Sequence, residues 1–238
     1  MSLNGKASIV TGAGRGIGRA IALILAKNGS DVVLSSRTQS ELDTVAAQIR
    51  SIGRKAITVQ SDVSRPEDVH RIVDAAIVNF GKIDILVNNA GIGTFSSVAD
   101  MKIEDFDRMF AVNVRGIFLC TKTVLPTMIK QNRGNIINIS SLAGRNSFKG
   151  GAGYSATKWA LIGFSRSLML EVRQHNIRVI TLCPGSVDTS FSPVDSSAKN
   201  ADRIPKADDI AQVVLDALMM PENVMVSEID IRPTNPNW

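Results

Sequence analysis

The sequence predicts a doubly wound α/β fold, a seven-stranded parallel sheet with helices on both faces. Short β-branched runs alternate with longer helical patterns along the chain, a glycine-rich turn joins the first run to the first helix, and no shift in composition divides the chain. Repeated strand, helix and strand demands a parallel sheet, and right-handed crossovers then place helices on both faces. At 238 residues and 44% apolar composition, one core is large enough to need neither disulfide nor metal, so 1–238 is read as a single domain.

Each strand is read from a β-branched run and each helix from apolar residues at helical spacing. Strand Ala7–Val10 leads into helix Arg15–Asn28, and Val32–Ser35 into Gln39–Ile52. Ala56–Val59 precedes helix Glu67–Phe80, and Ile83–Val87 precedes one long helical pattern, Ile103–Asn132. Asn135–Ser140 leads to helix Tyr154–His175, Arg178–Leu182 to helix Ala207–Met219, and Val224–Ile231 is the seventh strand. The least regular stretch, rich in Ser, Asp and Asn, begins at Asp188, and 188–206 is expected to be a mobile substrate loop.

Composition excludes several function classes. Lys and Arg outnumber Asp and Glu by 27 to 22, but the basic residues are scattered without a run or interleaved aromatics, so neither a nucleic acid nor a membrane is expected as partner. Cys120 and Cys183 lie inside regular elements, and with His70 and His175 at unrelated positions they form no metal site of ordinary spacing. Two buried thiols and no signal-peptide pattern lead us to expect a cytoplasmic protein.

The chemistry begins at Thr11-Gly12-Ala13-Gly14-Arg15-Gly16-Ile17-Gly18. Glycines let a backbone approach a pyrophosphate, and the free N–H groups of a helix N-terminus hold its charge. The spacing Gly12, Gly16, Gly18 departs from the common dinucleotide fingerprint. With Asn88-Asn89-Ala90-Gly91 after the fourth strand, and Ser141, Tyr154 and Lys158 following in order, it resembles the short-chain dehydrogenase/reductase family over about Leu3 to Met219.

The resemblance implies a Rossmann-type sheet that binds a nicotinamide dinucleotide, in a homodimer or homotetramer. It places Gly12, Gly16, Ile17 and Gly18 at the pyrophosphate and Asn89, Ala90 and Gly91 along the dinucleotide. Asp62 is expected at the adenine amine with Val63 beside it. Pro184 and Gly185 form the turn beneath the nicotinamide, whose carboxamide Val187 and Thr189 hold. The second strand ends in Ser35-Ser36-Arg37, with no carboxylate to repel a 2′-phosphate. Ser36 and Arg37, with Arg15 from the glycine turn, therefore predict NADP(H).

Tyr154 is the chain's one tyrosine, and Lys158 follows one helical turn later, so both project from one face. Bringing a phenol of pKa about 10 to neutrality needs roughly 4 kcal/mol, which an ammonium about 4 Å away supplies. Tyr154 is thus the expected proton donor to a carbonyl oxygen. Of the neighbours Ser140 and Ser141 only one can face the substrate, and family spacing selects Ser141. Asn113 matches the family asparagine that holds a water linking Lys158 to solvent.

The substrate is the open term. Ile92, Phe95, Asn146 to Phe148 and Phe191 are the expected pocket walls, mostly apolar, which suit an uncharged ketone or aldehyde, or an acyl chain. A free small carbonyl compound is the favoured partner. The alternative is a 3-oxoacyl group on an acyl carrier protein, for which relatives use arginines at places held here by Asn132 and His175, next to Arg133 and Arg173. A cofactor-binding sensor without turnover is disfavoured because Asn113, Ser141, Tyr154 and Lys158 are all present.

Overall fold

The computed structural model describes residues 2–191 and 203–234. Strands β1 (Ala7–Thr11), β2 (Asp31–Ser36), β3 (Ala56–Gln60), β4 (Ile85–Asn88), β5 (Gly134–Ile139), β6 (Ile177–Pro184) and β7 (Glu228–Ile231) form one sheet in the order β3-β2-β1-β4-β5-β6-β7. Every pairing is parallel. The chain starts in the middle, works outward to β3, then returns to β4 and fills the other half. The connections leaving β1 and β4 therefore diverge, and a crevice opens at the strands' C-terminal ends.

Adjacent strand residues feed opposite layers. Val10, Leu34, Ile85 and Ile137 pack with helices α1 (Gly16–Lys27), α2 (Gln39–Ser51) and α7 (Ala207–Met219). Ile9, Val33, Leu86 and Ile136 face α3 (Pro66–Phe80), α5 (Ile117–Gln131) and α6 (Ala152–Val172). Central strands buried on both sides explain why the runs read as continuous apolar stretches.

Several predicted boundaries move, and three of the changes are informative. Ile83 lies outside β4 because Gln131 holds both of its backbone groups, accepting from its N–H at 3.1 Å and donating to its carbonyl at 2.8 Å. The last strand begins at Glu228 rather than Val224. The Arg178 guanidinium takes the carbonyls of Leu218 (2.9 Å), Met220 (3.1 Å) and Val224 (3.2 Å), which keeps that stretch out of the sheet. The long helix 103–132 is two helices, α4 (Ile103–Phe110) and α5, joined by a π-helical turn at Ala111–Gly116.

Of the loop expected at 188–206, residues 192–202 lie outside the described residues. Its two ends stay together, with the Asp188 N–H donating to the Pro205 carbonyl at 2.9 Å. No described helix is long and apolar enough to cross a membrane.

Candidate active site

A cleft of about 830 Å³ runs along the C-terminal edge of the sheet, from the glycine turn at one end to Tyr154 at the other. Its floor is fixed by Thr11, whose hydroxyl accepts from the N–H groups of Asn89 (3.0 Å) and Ala90 (3.1 Å) and donates to the Val87 carbonyl (3.2 Å). Asn89 ties the two loops again by donating to the carbonyls of Thr11 (3.0 Å) and Gly12 (3.2 Å). A Cβ on Gly18 would lie 2.2 Å from the Gly12 carbonyl oxygen, so only glycine lets α1 start this close to β1.

This end fits a dinucleotide. The N-terminus of α1 has no side-chain cap, which leaves its first N–H groups for an anion. Ile17, Gly91, Pro184, Gly185 and Val187 line the same cleft. The chain after β6 arches back over it, and Thr189 comes within 3.6 Å of a Cβ built on Gly16.

At the end of β2 the cleft is lined by Gly14, Arg15, Ser36, Arg37 and Glu41. Sequence reading missed Glu41, which lies in the first turn of α2 and pairs with Arg15 at 3.7 Å. An acid in a first helical turn is ordinary complementation of the helix dipole, so nothing in the sequence marks it. Asp62 differs from expectation. Ser64 donates to one carboxylate oxygen through its N–H (3.0 Å) and hydroxyl (2.7 Å), while Arg108 takes the other. Burial alone would raise the Asp62 pKa, but these hydrogen bonds outweigh it and bring it to about 2. Three acceptor positions of roughly four are thus filled, which restricts what the carboxylate can offer an adenine amine. Arg108 was also unforeseen, since it reads as one more charge on an exposed helical face. Val63 is buried beside it, against Gly116.

At the other end the four expected catalytic side chains converge. Ser141 lines the cleft, where its hydroxyl accepts from the Ala143 N–H at 3.1 Å and donates to the Pro184 carbonyl at 3.4 Å. The Ser140 hydroxyl is turned away onto the Lys158 backbone carbonyl at 3.3 Å. Lys158 is buried, donates to the Ile139 carbonyl at 3.0 Å, and holds its Nζ 5.6 Å from the centre of the Tyr154 ring.

One expectation needs correction. Tyr154 is not drawn toward neutrality. Burial pushes its pKa up to about 12 against a hydrogen bond with Ser141, and burial lowers Lys158 to about 8. With no direct Tyr–Lys hydrogen bond, the loss of water around both groups dominates. The Asn113 side chain is fully engaged by protein groups. It donates to the Ile92 carbonyl (2.8 Å) and the Thr157 hydroxyl (3.1 Å), and it accepts from the Ile92 N–H (2.9 Å). It therefore clamps the loop after β4 onto α6. The π-helical turn that contains Asn113 interrupts the i→i−4 ladder, so a water contact there falls to the main chain.

A family model described as short chain dehydrogenase matches residues 6–200. An uncharacterized oxidoreductase of Staphylococcus aureus (strain MRSA252) is 37% identical over 231 residues, covering 97% of this chain and 98% of that protein. A metagenomic short-chain oxidoreductase solved in complex with NADP superposes with a TM-score of 0.87 at 38% identity, over 99% of this chain and 100% of that one. The 3-ketoacyl-(acyl-carrier-protein) reductase of Brucella melitensis, complexed with NADH, has a TM-score of 0.88 at 32% identity, covering 97% and 98%.

Proposed function

Because the chain belongs to the short-chain dehydrogenase family, and so is an oxidoreductase built for a nicotinamide cofactor, we propose that it is an NADPH-dependent reductase of carbonyl compounds. The observation that supports this best is one cleft holding Ser141, Tyr154 and Lys158 at one end and Arg15 and Arg37 at the other, with no carboxylate ending β2.

Bound cofactor supplies the hydride. The protein supplies the rest: Ser141 holds the carbonyl oxygen by a hydrogen bond and Tyr154 donates the proton that oxygen needs as it becomes an alcohol. Burial keeps the phenol protonated at physiological pH and also makes its proton harder to give up, a cost that positive charge nearby must offset. The Lys158 ammonium places positive charge beside the phenolate left behind.

In this reading the 2′-phosphate of NADPH lies between Arg15, Ser36 and Arg37. Charged hydrogen bonds of about 1.5–3 kcal/mol each lead us to expect NADPH over NADH by roughly a hundredfold or more, and loss of that preference in Arg37→Asp. Glu41 opposes it by occupying Arg15. Glu41→Gln is expected to tighten NADPH by about two- to fivefold and to leave NADH nearly unchanged, because an exposed pair is worth only about 0.2–1 kcal/mol. Titration with both cofactors checks this, and equal affinity of the unmodified protein for the two would count against NADPH.

A free carbonyl substrate is favoured over one carried on an acyl carrier protein. The places just before β5 and β6 where carrier-dependent relatives use arginines hold Asn132 and His175 here. Arg133 is also engaged by Asp84 at 3.6 Å. Self-association belongs to the same proposal. Trp159, Arg166 and Leu170 form one exposed stripe of α6, with Gly163 open between them, and Phe118 lies exposed on α5. Light scattering is expected to report a dimer or tetramer that Trp159→Arg dissociates; a monomer in the unmodified protein argues against it.

A further inference from the structure

Phenylalanines from three separate segments cluster beside Tyr154, two against its ring and the third against one of those two. Phe95 follows β4 and meets the tyrosine edge-on, with ring centres 5.5 Å apart at 74°. Phe191 follows β6 and lies 5.9 Å away at 42°. Phe148 follows β5 and packs on Phe95 at 5.8 Å and 55°. Two glycines make room for them. A Cβ on Gly93 would stand 2.8 Å from the tip of Phe191 and 3.0 Å from that of Phe95, and a Cβ on Gly151 would lie 2.3 Å from Phe148.

These rings are not core. Phe95, Phe148 and Phe191 are 51%, 47% and 46% exposed, so each keeps a face open at the mouth of the cleft. The cleft lining also includes Ile92, Leu142 and Ala143, with the uncharged polar residues Asn146, Ser147 and Ser190. Arg232, also in the cleft lining, is engaged by Asp230 at 3.3 Å.

We infer that these rings form a box selecting an uncharged carbonyl compound bearing a flat aromatic group, in preference to an aliphatic chain or saturated ring of equal size. This rests on the reductase reading and names its substrate class. An acyl chain would gain from the same apolar area but not from ring geometry. Offset and edge-on contacts among aromatic rings are worth about 0.5–1.5 kcal/mol beyond the area they bury. Among the described residues, the charged side chains that line the cleft beyond its cofactor end are Lys158 and Arg232, engaged by the Ile139 carbonyl and by Asp230, which disfavours a substrate carboxylate or phosphate there.

The test compares 4-phenyl-2-butanone with 4-cyclohexyl-2-butanone, which have the same number of non-hydrogen atoms and a carbonyl insulated from the ring. We expect kcat/KM to favour the phenyl compound by roughly tenfold, about 1.4 kcal/mol. Each of Phe95→Leu, Phe148→Leu and Phe191→Leu should shrink that ratio, the triple variant should bring it close to one, and Phe95→Tyr, which keeps the ring, should preserve it. The ratio is read because a general loss of activity cancels from it. A ratio near one in the unmodified protein, or one that survives the triple substitution, overturns the aromatic box. Turnover of other carbonyls but of neither butanone also overturns the box while sparing the reductase reading. Turnover of no carbonyl at all overturns that reading and the box with it.

Discussion

Tyr154→Phe is expected to lower the rate of carbonyl reduction by about 10²–10⁴ while leaving NADPH affinity within a few-fold of normal. The substitution removes one hydroxyl and keeps the ring that packs against Phe95 and Phe191. Stability should change little, since the hydroxyl's partner Ser141 retains the Ala143 N–H and the Pro184 carbonyl. Single-turnover kinetics with saturating NADPH isolate the chemical step. If the variant keeps most of its activity on every carbonyl tested, the proton comes from elsewhere.

Lys158→Met should separate activity from stability. The lysine is buried and its pKa is lowered from 10.5 to about 8, so at pH 7 the fold carries a charge whose burial costs about 3 kcal/mol. Between pH 8 and 10.5 the unfolded chain binds more protons at this residue than the folded chain does. Stability contributed by this residue therefore rises with pH through that window, and the cost is present in full below it. Methionine removes the charge but leaves the Ile139 carbonyl without its donor, which returns about 1–3 kcal/mol of the gain. The net expectation is a melting temperature raised by roughly 2–4 °C near pH 7, with carbonyl reduction lost by a hundredfold or more and NADPH bound less tightly. In the unmodified enzyme reduction should fall as pH rises through about 8, where Lys158 loses its proton, and this inflection should be absent from the residual activity of the methionine variant. A melting temperature that drops by several degrees would show that the hydrogen bond to Ile139 outweighs the buried charge.

How much of this was legible in the sequence depends on the range of the interaction involved. The strands were readable because runs such as Ile85-Leu86-Val87 are buried on both faces, and burial on both faces is written in each residue's own side chain. The cofactor end was readable where backbone geometry dictates the residue, as at Gly12 and Gly18. Glu41 and Arg108 were not, because an acid in a first helical turn and a base on an exposed helical face each have ordinary explanations, and only the fold brings them to the cleft. The early end of the sheet at Glu228 was equally hidden, since it depends on Arg178 reaching carbonyls about 40 residues away in sequence. The direction of the Tyr154 shift was misjudged for a related reason. Spacing reports that a lysine is near, while the loss of water around both groups is a property of the whole packed layer.

The π-helical turn at Ala111–Gly116 carries one residue more than an α-helical turn over the same span. One extra residue advances the angular phase of everything after it by about 100°. The segment upstream aims Arg108 at Asp62 while the segment downstream turns Val124 and Met128 into the core. Excising one residue from the turn would restore an unbroken helix and put the two halves out of step, so that either the Arg108–Asp62 contact or the core beneath α3 is lost. The turn works as a phase shifter, which lets two unrelated sets of neighbours be met along one continuous rod.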